Sequence, residues 1–142
     1  LLLATRRLTR DEAAVTEMFR RACFNVFAHN RDDHTRNFAF LMDEQGVWRP
    51  SPAYDLTFSA GPGGEHAMLV GREGAKPGEA DLLELATSVD LKRARPIIEE
   101  VRLAVSRFAR HAEAAGLPSK VRVRVAEALG VQTGRRSAPR RS

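Results

Sequence analysis

The chain has 142 residues, of which 43% are apolar and 29% are charged, and its formal net charge is +5. This length fits one domain, and no apolar run approaches the roughly 18 residues that a membrane helix needs. Because Cys23 is the single cysteine, the sequence excludes an internal disulfide and any zinc site built on two or more cysteines. We therefore expect a soluble, cytoplasmic protein of a reducing compartment.

A helix is predicted over residues 10–28. Thr9 and Glu12 have the spacing of a capping box. Behind them apolar residues recur at helical spacing, namely Val15, Met18, Phe19, Ala22, Cys23, Val26 and Phe27. This pattern predicts that Cys23 is a core residue without a reactive role.

A β-hairpin is predicted after this helix. Residues 38–42 form a short apolar run, residues 43–46 read Asp-Glu-Gln-Gly, and Val47 and Trp48 resume the apolar pattern. Pro50 and Pro52 end the second strand, because a proline cannot donate to the ladder. Residues 59–64 are predicted to form a loop and residues 66–70 a further short strand.

The remaining chain is predicted to be helical. One helix covers residues 79–88, and a longer one starts near residue 95, with Pro96 in its first turn, and stops at Gly116 and Pro118. A last helix, about residues 120–129, begins after Ser119; since its valines alternate, a strand is the alternative there. The fold class is thus mainly α with a small β-hairpin.

The segment between the first helix and the hairpin, residues 29–37, holds two carboxylates, two asparagines and two histidines but no large apolar residue. Asp32 and Asn37 lie five residues apart. The return limb of the hairpin is expected to bring Asp55 back beside Asn37. A carboxylate that deprotonates a hydroxyl, with an amide and a second carboxylate as oxygen ligands for Mg²⁺, suits phosphoryl transfer.

These residues resemble a known family. The stretch 30–38, which reads Asn-Arg-Asp-Asp-His-Thr-Arg-Asn-Phe, with Trp48 and the later Ser-Pro-Ala-Tyr-Asp-Leu of residues 51–56, resembles the C-terminal domain of HipA-like toxin kinases. The similarity extends from about residue 10 to residue 129, through His66 and Met68.

The resemblance implies a lobe of a serine/threonine kinase that is the toxin of a toxin–antitoxin pair. It implies that Asp32 is the catalytic base and that Asn37 and Asp55 are Mg²⁺ ligands. It also makes His34 and Tyr54 the candidates for nucleotide contact, with loop hydrogen bonding and packing as their alternative roles. ATP with Mg²⁺, a protein substrate, and a helix-turn-helix antitoxin that could hold DNA are the implied cofactors and partners.

The sequence departs from the family pattern at Asp33, at Pro50, where a leucine is expected, and in the residues upstream of the first predicted helix. Asp33 stands where a small residue is expected; we assign the base to Asp32 rather than Asp33 because its offset to Asn37 is the kinase offset. No glycine-rich loop followed by a strand lysine precedes the first predicted helix, although the family carries both in an N-terminal lobe. Since positioning and charge stabilisation provide most of kinase catalysis, we expect this chain alone to be inactive and to bind nucleotide and Mg²⁺ weakly.

Two other functions fit the same residues. A helical metal-dependent phosphohydrolase could use His29, Asp32, Asp33 and His34, although their order lacks the usual His-Asp dipeptide. A non-catalytic module that binds an antitoxin is the second alternative.

The charge is concentrated at the end of the chain, where four arginines lie in residues 135–141. We expect residues 1–132 to form the lobe and residues 133–142 a disordered basic tail. The tail is either a nucleic-acid-binding arm or a solvated terminus without a partner.

Overall fold

The computed structural model describes residues 1–133, and within them the chain is mainly helical with one two-stranded antiparallel hairpin. The predicted fold class is therefore confirmed. The elements in chain order are α1 (Leu2–Thr9), α2 (Glu12–Phe27), β1 (Phe40–Met42), β2 (Trp48–Pro50), α3 (Glu79–Ser88), α4 (Ala94–Ser106), α5 (Phe108–Ala114) and α6 (Ser119–Ala128). Except for Thr133, the predicted basic tail lies outside the described residues.

The chain divides into two compact units, residues 1–102 and residues 103 onward. In the first unit α2 lies at the centre, because α1, α3 and β2 all contact it. Its predicted apolar stripe is the core: Val15, Met18, Phe19 and Cys23 are fully buried, together with Leu82 of α3 and Ile98 of α4. In the second unit α5 packs on α6, and Ala112, Val125 and Ala126 are buried.

The start of α2 differs from its prediction. Asp11 is the N-cap, with its Oδ1 accepting from the amide of Ala13 at 2.8 Å. Thr9 does not cap α2, since it is the last residue of α1, a helix that the sequence pattern did not predict. Its hydroxyl donates to the carbonyl of Thr5 at 2.9 Å. Arg10 is therefore the single residue between the end of α1 and the N-cap of α2, and it turns the chain with a φ of 53°.

The hairpin forms where it was predicted, with Phe40 opposite Pro50 and Met42 opposite Trp48. Asp43 closes the turn, because its carboxylate accepts from the amides of Gln45 and Val47 at 3.0 and 2.9 Å. Pro50 is the last strand residue, as expected from its missing donor. The hairpin thereby returns the chain towards the segment that precedes it.

The strand predicted over residues 66–70 is wrong. Only Val70 makes a bridge, an isolated one to Glu73. The amides of Ala67 and Met68 donate instead to the side chain of Asp33, so no neighbouring strand receives them.

The helices of the second half largely follow their predictions. α3 has the predicted bounds, Pro96 lies in the first turn of α4, and the valine-rich segment is the helix α6 rather than a strand. The long predicted helix is interrupted at Arg107, where the amide of Arg107 bonds the carbonyl three residues back, Ala104, at 3.2 Å. Pro118, not Ser119, precedes the first residue of α6.

Among the described residues, no helix combines the length and the apolar character that crossing a bilayer requires.

Candidate functional site

The polar loop, residues 29–37, connects α2 to β1 and is held from outside by a second segment, residues 59–68. The amide of Ser59 donates to the carbonyl of His29 at 2.9 Å, and the amide of Ala67 donates to the carbonyl of Arg31 at 3.1 Å. Gly61 lies so close that a Cβ there would come within 2.8 Å of the Cβ of Arg31. The polar loop is therefore fixed by the fold although only Thr35–Asn37, a 3-10 turn, is regular.

Asp32 and Asn37 are brought together. The Nδ2 of Asn37 donates to the backbone carbonyl of Asp32 at 2.9 Å, which leaves the Oδ1 of Asn37 available as a ligand. The carboxylate of Asp32 is 53% exposed, and its Oδ1 lies 3.7 Å from the Nε2 of His34. The structure thus gathers three of the predicted site residues at one end of the polar loop.

Tyr54 brings the return limb of the hairpin to the same place. Its hydroxyl donates to the carbonyl of Arg36 at 2.6 Å, and the amide of Ser51 donates to the carbonyl of Ala39 at 2.9 Å. Tyr54 and Leu56 line a cavity of about 10 Å³ together with Asn37. The predicted convergence of the two segments is therefore observed, and Tyr54 makes a contact of loop-packing type.

Asp55 lies between Tyr54 and Leu56, with its side chain exposed. Its φ is 53°, a left-handed conformation that aspartate adopts more readily than most residues. Within residues 1–133 its carboxylate has no hydrogen bond or ion pair to the other predicted site residues. Asp55 lies on the return limb of the hairpin with an exposed side chain, and its role as a ligand stays a prediction.

Asp33 is buried and fully engaged, unlike Asp32. Its Oδ1 accepts from the amides of Ala67 and Met68 at 2.9 and 3.2 Å, and its Oδ2 lies 3.1 Å from the Nδ1 of His66. Sequence reasoning gave His66 no role and found no partner for Asp33. The sequence signals were the charged residue at a position where a small one was expected and the stretch with His66 and Met68, through which the family resemblance extends.

Buried polar atoms without a partner also concentrate in the polar loop. In the part of the chain that the structure describes, these atoms are Asn30 Oδ1, Arg31 Nε and His34 Nδ1. Leaving a buried donor or acceptor unpaired costs about 1–3 kcal/mol, and such atoms in a folded protein commonly mark a functional site or an ordered water. The cavity beside Asn30 has room for about one water molecule.

The ring of His29, the first residue of the polar loop, is partly buried. Burial, assisted by the nearby Arg31 and His66, lowers the pKa of His29. Its ring stacks on Phe58 with centroids 6.4 Å apart. His29 is therefore uncharged at neutral pH and acts in packing.

The histidines and aspartates do not form one metal cluster. Asp33 pairs with His66 and Asp32 approaches His34, so the four residues of a phosphohydrolase site are divided. Within residues 1–133 no group of three or more histidine, cysteine, aspartate or glutamate side chains is placed to hold a metal ion. A site made of one amide, one carboxylate and nucleotide phosphates is a different donor set.

A larger open groove, about 820 Å³, lies away from the polar loop. It is formed by α1, the first half of α2, the turn of residues 90–93 and the first half of α4. Its charged side chains are partly neutralised within the groove, because Arg6 pairs with Glu12 at 2.6 Å and Arg20 with Glu100 at 2.6 Å. This mixed and paired charge does not favour phosphate.

Comparison with known protein families shows to which family the chain belongs. The family described as the HipA-like C-terminal domain matches residues 1–113. The chain belongs to this family. The match includes the polar loop, the hairpin and Asp55, so the HipA-like domain contains every candidate site residue. Neither the curated proteins nor the solved structures yielded a significant match.

Proposed function

We propose that this HipA-like domain carries the catalytic base and the Mg²⁺ ligands of an ATP-dependent serine/threonine kinase of the toxin–antitoxin type. The proposal depends on one observation: the polar loop and the return limb of the hairpin meet, through the hydrogen bonds of Asn37 to Asp32 and of Tyr54 to Arg36. These two contacts support the proposal that Asp32, Asn37 and Asp55 act together, because Asp32 and Asn37 lie in the polar loop and Asp55 follows Tyr54 on the return limb.

Asp32 is the proposed base. Its carboxylate is exposed and would accept the proton of the attacking hydroxyl, whereas the carboxylate of Asp33 is buried and both of its oxygens already contact His66, Ala67 or Met68. A base must reach the hydroxyl of its substrate, and a carboxylate that is 3% exposed cannot. The burial of Asp33 thus supports the choice that residue spacing alone had suggested.

Asn37 and Asp55 are the proposed Mg²⁺ ligands. Mg²⁺ is commonly held by one or two protein oxygens together with substrate phosphates, which fits one amide oxygen and one carboxylate. The bound ion would offset the charge on the phosphoryl group during transfer. The side chain of His34 is 42% exposed, which supports its proposed contact with the nucleotide, and Tyr54 would hold the two segments together.

The protein substrate, the helix-turn-helix antitoxin and DNA bound through it are proposed from the family relationship alone. Phosphoryl transfer also needs groups that cradle the phosphates, which the family carries in another lobe. We therefore propose that the chain transfers no phosphate by itself and acts when such a lobe is joined to it.

The test is phosphate transfer from γ-labelled ATP to protein by the chain joined upstream to the nucleotide-cradling lobe of a HipA-like kinase. Asp32→Ala is expected to lower the rate about 10²- to 10⁴-fold, the usual contribution of a general base, with an unchanged circular dichroism spectrum. Thr35→Ala is the control, since Thr35 is an exposed neighbour in the same loop. Activity retained by Asp32→Ala would show that the base is misassigned.

A further inference from the structure

The residue next to the proposed base ties two distant segments together. Asp33 lies in the polar loop, and its three partners, His66, Ala67 and Met68, lie 33 to 35 residues later. The side chains of Asp33 and His66 are only 3% and 2% exposed. A buried carboxylate with three polar contacts is a strongly directed anchor, because charge-assisted hydrogen bonds are shorter and stronger than neutral ones.

The 59–68 segment is itself fixed, so that it can serve as a support. The amide of His66 donates to the carbonyl of Gly74 at 2.8 Å. The amide of Ala67 is shared between Asp33 and the carbonyl of Arg31. At the other end Gly61, with a φ of 71°, approaches Arg31 too closely to accept a side chain.

We propose that Asp33 and His66 form a clasp that positions Asp32 and Asn37. Asp33 and His66 are then positioning residues of the proposed Mg²⁺ site. This inference rests on the proposed function. The polar loop has little regular structure of its own, and the single side-chain contact between Asp32 and Asn37 is one hydrogen bond to a backbone carbonyl. External anchors must therefore hold the loop, and the clasp is adjacent to Asp32 along the chain.

The clasp also explains why two aspartates stand side by side. The carboxylate of Asp33 is buried and binds the 59–68 segment, whereas the carboxylate of Asp32 is half-exposed to solvent. Residues that orient metal ligands from behind commonly change metal affinity 10- to 100-fold when they are removed.

The experiment measures the binding of Mn²⁺, a paramagnetic substitute for Mg²⁺, to the ¹⁵N-labelled full chain in the presence of ATP, which supplies the phosphate ligands, at concentrations high enough to populate a weak site. The readout is the broadening of the Asn37 side-chain amide signal as Mn²⁺ is added. Asp33→Ala is expected to weaken Mn²⁺ binding at this signal about 10- to 100-fold. Asp33→Asn is expected to restore most of the affinity, because its amide oxygen still accepts from Ala67 and Met68.

Leu82→Ala is the matched control, because Leu82 is a fully buried core residue of α3, outside the polar loop and the 59–68 segment in sequence. It should lower the melting temperature and leave Mn²⁺ affinity unchanged. If Asp33→Ala does not fold, His66→Leu and His66→Asn replace it. The leucine variant should lose affinity, whereas asparagine should keep it, since its amide nitrogen can replace the ring Nδ1.

The possible results separate the two proposals. If Mn²⁺ broadens the Asn37 signal of the wild type and binds Asp33→Ala or His66→Leu with the same affinity, the clasp is overturned and the proposed Mg²⁺ site stands. A wild-type chain whose Asn37 signal is unaffected by Mn²⁺ would overturn the proposed function and the clasp with it. Loss in Asp33→Ala with recovery in Asp33→Asn supports the clasp.

Discussion

Burial determines which side chains of this domain are accessible and reactive. Asp32 and Asp33 are neighbours of one residue type, yet one carboxylate is half-exposed and the other is enclosed by three donors. Cys23 gives a second example, because burial in the core raises the pKa of its thiol to about 12. A thiol with such a pKa remains protonated at any physiological pH and is a core residue, as the helical spacing predicted.

The Cys23 thiol should therefore resist alkylation in the folded protein. A pKa about three units above that of a free thiol lowers the reactive thiolate about 1,000-fold at pH 8. The measurement is the iodoacetamide reaction rate by mass spectrometry, with and without urea. Since Cys23 is the single cysteine, no second thiol complicates it. A folded rate within tenfold of the unfolded rate would contradict the buried placement.

At the scale of elements, the ends of helices were predicted less well than their interiors. The apolar spacing of α2 predicted the interior of the helix correctly, but its N-cap was predicted at Thr9 and lies at Asp11. The structure selects Asp11, because a separate helix, α1, uses Thr9 as its last residue. Neither the break at Arg107 nor the single bridge of Val70 carries a local signal that periodicity could detect.

Asp11→Ala should destabilise the first unit by about 1 kcal/mol, the typical loss of an N-cap. Asp11→Asn is the matched control, since it keeps an oxygen acceptor for the amide of Ala13. The measurement is urea unfolding followed by circular dichroism. An effect of Thr9→Ala larger than that of Asp11→Ala would restore the capping box predicted from the sequence.

At the scale of the whole molecule, the sequence predicted the fold class, the positions of most elements and the meeting of the polar loop with the return limb. These features depend on local periodicity and on the length of a hairpin. The clasp between Asp33 and His66 could not be predicted in this way, because it joins residues 33 positions apart across a segment with no regular pattern. Its traces in the sequence were an unexpected charge beside the proposed base and the stretch with His66 and Met68 in the family resemblance.

The account depends most on the convergence of Asp32, Asn37 and Asp55 around one divalent ion. Crystals grown with Mn²⁺ and ATP, measured at the manganese absorption edge, test it directly. The account predicts an anomalous peak about 2.1 Å from Asn37 Oδ1 and from a carboxylate oxygen of Asp55, with the carboxylate of Asp32 facing the terminal phosphate. A peak at other residues, or an Asp55 carboxylate turned away from Asn37 in the occupied site, would contradict it.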